Sequence, residues 1–187
     1  RSKTHPDVFY ACTQNAIFRS RNRTKTWRKI FEGRKGLDFR ELIIHPHNPD
    51  YVAASGEELF ISKDGGESWS NRIESIEYRK RNLLRHPNRI AVNTLPNKDS
   101  GLIILYKAGN RNYIETSLDW GMTWTLLNSN RSFNRVDKAN AEIAVPGGSG
   151  NLIYVGCVRT YKSTNKGRKF KQITFPNLGH KAFVHDD

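Results

Sequence analysis

Ser62-Lys63-Asp64-Gly65-Gly66-Glu67-Ser68-Trp69 and Ser117-Leu118-Asp119-Trp120-Gly121-Met122-Thr123-Trp124 share the pattern Ser-x-Asp-x-Gly-x-(Ser/Thr)-Trp. Two degraded copies flank them. Ser20, Asn22, Thr24, Thr26 and Trp27 come earlier, and Ser163, Asn165, Gly167, Lys169 and Phe170 come later. Successive Ser positions are 42 (Ser20 to Ser62), 55 (Ser62 to Ser117) and 46 (Ser117 to Ser163) residues apart. A period of about 40 to 50 residues marks a chain built from one supersecondary unit repeated side by side.

Around each copy stand short apolar runs bounded by Gly, Asn, Asp and Pro, which read as strands of antiparallel sheets. Before the copies come Val8-Phe9-Tyr10-Ala11, Tyr51-Val52-Ala53-Ala54, Leu102-Ile103-Ile104-Leu105 and Leu152-Ile153-Tyr154-Val155. A second strand runs into the motif, as in Leu59-Phe60-Ile61-Ser62 and Thr160-Tyr161-Lys162-Ser163. A third starts at the motif aromatic (Trp27, Trp69, Trp124 or Phe170), and a fourth precedes the next repeat at 42–44, 90–92, 143–145 and 182–184. Only 75–84 has any trace of helical periodicity. The motif residues suit a tight turn: the Asp carboxylate accepts from turn amides two residues on, as in an Asx-turn, Gly takes positive φ, and the aromatic is free to bury between sheets.

The four copies resemble the Asp-box, or BNR repeat, of β-propeller proteins such as sialidases, sortilin-type receptors and photosystem II assembly factors. The resemblance runs through all four repeats, hence nearly the whole chain. It implies an all-β fold: a single β-propeller domain over 1–187, made of four Asp-box blades of four antiparallel strands, with boxes at 20–27, 62–69, 117–124 and 163–170. The phase of the two ends predicts a ring closed by 182–184 pairing beside Val8-Phe9-Tyr10, which would remove the open edges. A fragment of a six- or seven-bladed ring has the same phase and stays open as the alternative. The resemblance also gives the boxes a structural role, on the rim opposite the working face. Ser62, Asp64, Gly66, Trp69, Ser117, Asp119, Gly121 and Trp124 are therefore assigned to the scaffold and not to catalysis.

The chain of 187 residues is long enough for a sizeable core, and its 36% hydrophobic content suits a globular protein. No apolar run reaches the roughly 18 residues that a membrane-spanning helix needs. The first residue is Arg1, with no signal peptide, which suggests a trimmed segment. Two Asn-x-Ser/Thr sequons, at Asn22 and Asn130, lean towards a secreted, periplasmic or lumenal setting. Cys12 and Cys157 are too few for a disulfide scaffold or a zinc site and read as two half-buried thiols, although ring closure would bring them near each other.

The charge is lopsided, with 31 Lys and Arg against 18 Asp and Glu, a net +13. Such a balance favours acidic partners: an acidic protein surface, an anionic membrane, a polyanionic glycan or nucleic acid. In the implied fold the cations concentrate on the loop rim opposite the boxes. The assigned partner-binding residues are Arg34, Lys35, Arg40, Arg79, Lys80, Arg81, Arg85, Lys107, Arg111, Arg131, Arg135 and Arg159. Arg side chains suit carboxylate and phosphate partners because the guanidinium binds them bidentately. The bland alternative is that these cations fan out and pair with Asp38, Glu74 and Glu77. Trp120, at a variable motif position, is a candidate aromatic contact if exposed.

A sialidase-like activity implies an arginine triad, a nucleophilic Tyr with an acidic partner, a general acid and an Arg-Ile-Pro signature. The signature is absent, and Asn88-Arg89-Ile90-Ala91 is its nearest echo. The rim carboxylates Asp38, Glu57, Glu58 and Asp137 show no pattern of two flanking a scissile bond. His45-Pro46-His47 fits a strand-to-strand turn better than a metal site. The reading is therefore a non-catalytic binding or assembly module, with no catalytic residue, metal or cofactor assigned. Its partner is an acidic protein or polyanion; nucleic acid fits the charge but has no motif behind it. The runner-up is a carbohydrate-binding or glycoside-hydrolysing propeller.

Overall fold

The computed structural model describes residues 5–72, 90–94, 101–108, 111–130, 142–146, 151–156 and 159–174. Its regular elements are β1 (Phe9–Cys12), β2 (Ala16–Ser20), β3 (Arg28–Glu32), β4 (Glu41–Ile44), β5 (Val52–Ser55), β6 (Leu59–Ser62), β7 (Ser70–Asn71), β8 (Ile90–Thr94), β9 (Leu102–Ala108), β10 (Arg111–Ser117), β11 (Thr125–Asn130), β12 (Glu142–Ala144), β13 (Ile153–Gly156), β14 (Thr160–Ser163) and β15 (Lys171–Ile173). They form four antiparallel sheets in chain order: β1-β2-β3, β4-β5-β6-β7, β8-β9-β10-β11 and β12-β13-β14-β15. As expected, each inner strand comes from the end of the preceding repeat. The segments 75–84 and 182–184 lie outside the described residues, and among the described residues the ring is not shown to close.

Three apolar clusters fill the three sheet-to-sheet interfaces. The middle sheets bury both faces, which is why β9 reads as an unbroken apolar run. Side chains alternate along a strand, so Leu102, Ile104 and Tyr106 join the second-to-third interface, and Ile103 and Leu105 join the third-to-fourth. In the fourth sheet the described residues seal one face: Ile153, Val155 and Tyr161 are buried, while Tyr154 and Lys162 are half-exposed.

The motif aromatic of each sheet packs back onto the sheet before it. Trp69 meets the Phe31 ring at 5.7 Å, Trp124 sits with Leu59 and Ile61, and Phe170 sits with Ile103 and Ile114. Trp27 breaks the expectation that all four are buried, for it is 42% exposed. Its sheet is the first, and no described sheet lies before it.

The motif glycines follow the same logic. A Cβ on Gly66 (φ 91°) would stand 2.3 Å from Ile30 Cδ1 of the first sheet, and one on Gly121 (φ 81°) would stand 1.9 Å from Ile61 Cδ1 of the second. Thr24 occupies the corresponding position in the first motif at φ 66° and is exposed. The glycines thus answer to lack of space as well as to backbone sign.

Candidate functional site

The topology sorts the surface into two rims. The motif turns join the third and fourth strands of the second to fourth sheets and the last two described strands of the first. They share an end with the first-to-second-strand turns, such as 45–51. The other end carries the second-to-third-strand turns and the connectors between sheets.

On the motif rim the turn chemistry is explicit. Ser62 Oγ donates to Asp64 Oδ1 at 2.8 Å and accepts from the Gly66 amide at 2.8 Å, while Asp64 accepts from the Ser68 amide at 2.9 Å and its hydroxyl at 2.5 Å. Asp119 accepts from the Ser117 hydroxyl (2.7 Å), the Met122 amide (3.0 Å) and the Thr123 amide and hydroxyl (2.9 and 2.6 Å). The Ser68 bonds hold the Asp64 carboxyl down at about 2. For Asp119 the upward push of desolvation is outweighed by the Thr123 and Ser117 bonds, and the carboxyl again falls to about 2. Asn22 and Asn165 keep the amide-accepting bond at 2.9 Å each without the charge. Asn22 Nδ2 donates to Thr26 Oγ1 at 2.9 Å, so the nitrogen a glycan would take is committed to the turn.

Sequence reasoning missed the clasp between the first two motif turns. Arg19, only 7% exposed, donates to the Gly65 carbonyl and to Glu67 Oε1 (3.0 Å), and Arg28 grips Glu67 through both guanidinium nitrogens at 3.0 Å. A buried guanidinium requires such partners. The only signal in the sequence is its place just before the motif Ser, where the second and third sheets carry Ile61 and Thr116.

Trp120 is corrected from a contact candidate to a core residue. It is 2% exposed, and its ring lies 4.9 Å from His45 and 6.1 Å from Tyr51 of the second sheet. The turn holds it at φ 55°, aimed inward and not at solvent. His45 Nδ1 accepts the amides of His47 and Asn48 at 3.0 Å each, and burial followed by His47 lowers its pKa. The imidazole thus closes the turn, and no group of His, Cys, Asp and Glu among the described residues could hold a metal.

On the opposite rim, Arg34, Lys35 and Arg40 lie in the 33–40 connector, and all three are exposed. Arg34 pairs with Glu58 at 2.7 Å and Glu57 at 3.8 Å, and Arg40 pairs with Asp38. Two of these three cations are therefore engaged by carboxylates of their own rim. Lys107 and Arg111 flank the β9–β10 turn, and Arg159 precedes β14 and donates to Gln172 Oε1 at 3.1 Å. Arg79, Lys80, Arg81, Arg85, Arg131 and Arg135 lie outside the described residues, as does Cys157. Cys12 is a free, half-buried thiol whose pKa is raised by burial.

Among the described residues, Tyr106 and Glu115 form a tyrosine–carboxylate couple. The Tyr106 hydroxyl donates to Glu115, and the Tyr106 ring stacks on Tyr113 at 5.2 Å. At 1% and 0% exposure these two groups are sealed in the core, with no surface left to meet a sugar.

No protein-family model and no curated protein matches the sequence. Among solved structures the chain is similar to an ancestral GH74 enzyme, with TM-score 0.69 and 17% identity over 95% of this chain and 24% of that one. The GH74 enzyme of Niastella koreensis gives 0.62 and 22%, over 93% of this chain and 29% of that one. YCF48 bound to D1 peptide gives 0.57 and 16%, over 89% and 50%. The chain thus spans about a quarter of the GH74 chains and half of the YCF48 chain. At these identities the likeness concerns architecture: four successive antiparallel sheets arranged as in a β-propeller.

Proposed function

We propose that the chain is a non-catalytic binding or assembly module of Asp-box propeller type, spanning 1–187 as one domain, whose loop rim docks an acidic protein segment. The observation that carries this reading is where the sheet connectors fall. The strands β3, β7 and β11 end opposite the motif turns, and the sequence that follows each, 33–40, 72–89 and 131–141, is net positive. Arg34 and Arg40 are held by local carboxylates, so the attracting charge rests on Arg79, Lys80, Arg81 and Arg85 and on Arg131 and Arg135. That a protein of similar fold, YCF48, has been solved with a peptide bound is in keeping with this reading. The GH74 neighbours support a carbohydrate-directed reading as the second choice.

Completion of the ring by 182–184 beside β1 would bring like charges together at the closing interface. Arg19 and Arg28 clasp Glu67 across the first interface. Their counterparts in the fourth sheet are Lys162 and Lys171, and the counterpart of Glu67 in the first motif is Lys25. Direct closure would set cation against cation.

The test measures anisotropy of a labelled oligoglutamate peptide against the intact chain and an Arg79→Glu, Arg81→Glu, Arg111→Glu variant. Binding that weakens about tenfold or more in the variant and falls steeply with salt is expected. Equal binding by both, or retention of neutral xyloglucan oligosaccharides with none of the peptide, would overturn the proposal.

A further inference from the structure

The motif rim carries a combination that turn chemistry does not require. Positions one and five after the motif Ser stand at the exposed tip of each turn. They are Arg21 and Lys25, Lys63 and Glu67, Leu118 and Met122, and Thr164 and Arg168. Only the third turn places apolar residues at both. Leu118 is 66% exposed and Met122 is 43% exposed, with the Met122 sulfur accepting from Arg72 at 3.0 Å. With Trp27 they are the exposed large hydrophobic residues of the described chain, and all three sit on motif turns.

Beside this apolar tip lies a stretch of one-sided charge whose lysines, unlike Arg21, Arg23 and Arg28 of the first turn, have no carboxylate partner among the described residues. Residues 143–174 hold six Lys or Arg and no Asp or Glu. Four of the six, Lys166, Arg168, Lys169 and Lys171, are exposed in or just after the fourth motif turn. Asn165 replaces the usual Asp there: its Oδ1 accepts the Lys169 amide at 2.9 Å and adds no negative charge. Lys166, Lys169 and Lys171 make no ion pair among the described residues. The two turns are joined through Leu127, on the strand that follows the third turn; its Cδ2 would lie 2.6 Å from a Cβ on Gly167.

We infer that the third and fourth motif turns form a docking surface for an anionic lipid bilayer, with Leu118 and Met122 entering the interface and the fourth-turn lysines meeting the headgroups. Two physical points favour a bilayer over an acidic protein. The apolar residues stand at an exposed turn tip, Leu118 at 66% and Met122 at 43%, where a plane can meet them together with the neighbouring lysines. The cations of this surface are mostly lysines, which act as point charges against a diffuse anionic plane and lack the bidentate fork that picks out single carboxylates. Exposed apolar tips flanked by lysine are the general recipe for interfacial binding, in which apolar insertion and charge attraction supply one signal each. This surface lies on the opposite rim from the peptide-docking face proposed above and does not depend on it.

The experiment is co-sedimentation of the chain with vesicles of phosphatidylcholine alone and with 30% phosphatidylserine by design (about one anionic lipid in three, within the range that attracts basic segments). Binding to the anionic vesicles alone is expected. Leu118→Ser with Met122→Ser should reduce partitioning about tenfold, and Lys166→Glu with Lys169→Glu and Lys171→Glu by more than about tenfold. Circular dichroism and melting confirm that both variants fold, as surface changes at turn tips should allow. The loop-rim variant Arg79→Glu, Arg81→Glu, Arg111→Glu should partition like the parent. No binding to either vesicle, loss only in the loop-rim variant, or loss on charge reversal with no effect of the Ser pair would each overturn the proposal.

Discussion

Removing the Asp119 carboxylate separates two roles that the motif acid fills, acceptor and charge. In Asp119→Ala the Met122 and Thr123 amides and the Ser117 and Thr123 hydroxyls lose a common acceptor. Bonds to a charged group contribute about 1.5–3 kcal/mol each when shielded, but this carboxylate is exposed and water replaces part of the loss. The total is about 3 kcal/mol, which lowers Tm by about 6–12 °C in a domain of this size. Asp119→Asn keeps Oδ1 for the amides and can reverse the bond to the Thr123 hydroxyl, as Asn22 does with Thr26. It should cost about 1 kcal/mol or less.

Because the carboxyl is depressed to about 2 in the folded chain, its contribution is present above the unfolded value of about 3.9 and is lost as pH falls through the folded one. The parent's advantage over Asp119→Asn should therefore shrink between about pH 4 and pH 2. Differential scanning fluorimetry across that range is the assay. An Asn variant as unstable as the Ala variant at neutral pH would refute the hydrogen-bond argument and leave charge as the cause.

Two further substitutions probe the sheet interfaces. Gly121→Ala adds a Cβ 1.9 Å from Ile61 Cδ1 at φ 81°, so strain and overpacking together should cost about 2–4 kcal/mol by thermal melting; a loss under about 1 kcal/mol would mean the interface yields freely. Lys25→Glu should leave Tm within about 2 °C if the first sheet's outer face is open, whereas a clear rise would show Lys162 and Lys171 facing it in a closed ring.

The period, the strand positions and the motif turn were legible because each rests on local chemistry: β-branched runs, a Gly at positive φ, and a carboxylate aimed at turn amides, which lie three and four residues on and not two. Interface partners were not legible. Nothing in the chain near Arg19 announces Glu67, which lies 48 residues away in the next sheet. Trp120 shows the same limit. Its variable position within the turn left both exposure and packing open, and the burial of that position is decided by His45 and Tyr51 of another sheet. The loop rim was read from charge alone, which gives the sign of a surface but not its pairing, and Arg34 and Arg40 prove to be engaged by Glu58, Glu57 and Asp38.

The departures from the motif are therefore themselves informative. Gly is kept at Gly66, Gly121 and Gly167, each buried where a side chain of the preceding sheet closes over it. Where no described sheet does so, the first motif accepts Thr24, and its aromatic, Trp27, is exposed. The acid follows a different rule. Asp64 and Asp119 stand in the two middle turns, whereas Asn22 and Asn165 stand in turns crowded with Arg and Lys, where the amide preserves the turn bond and leaves the local field positive. A substitution that looked like decay keeps the turn bond at a small cost to the fold and is directional for the surface. That is why the fourth turn, the most altered of the four, is the one whose charge points to a partner.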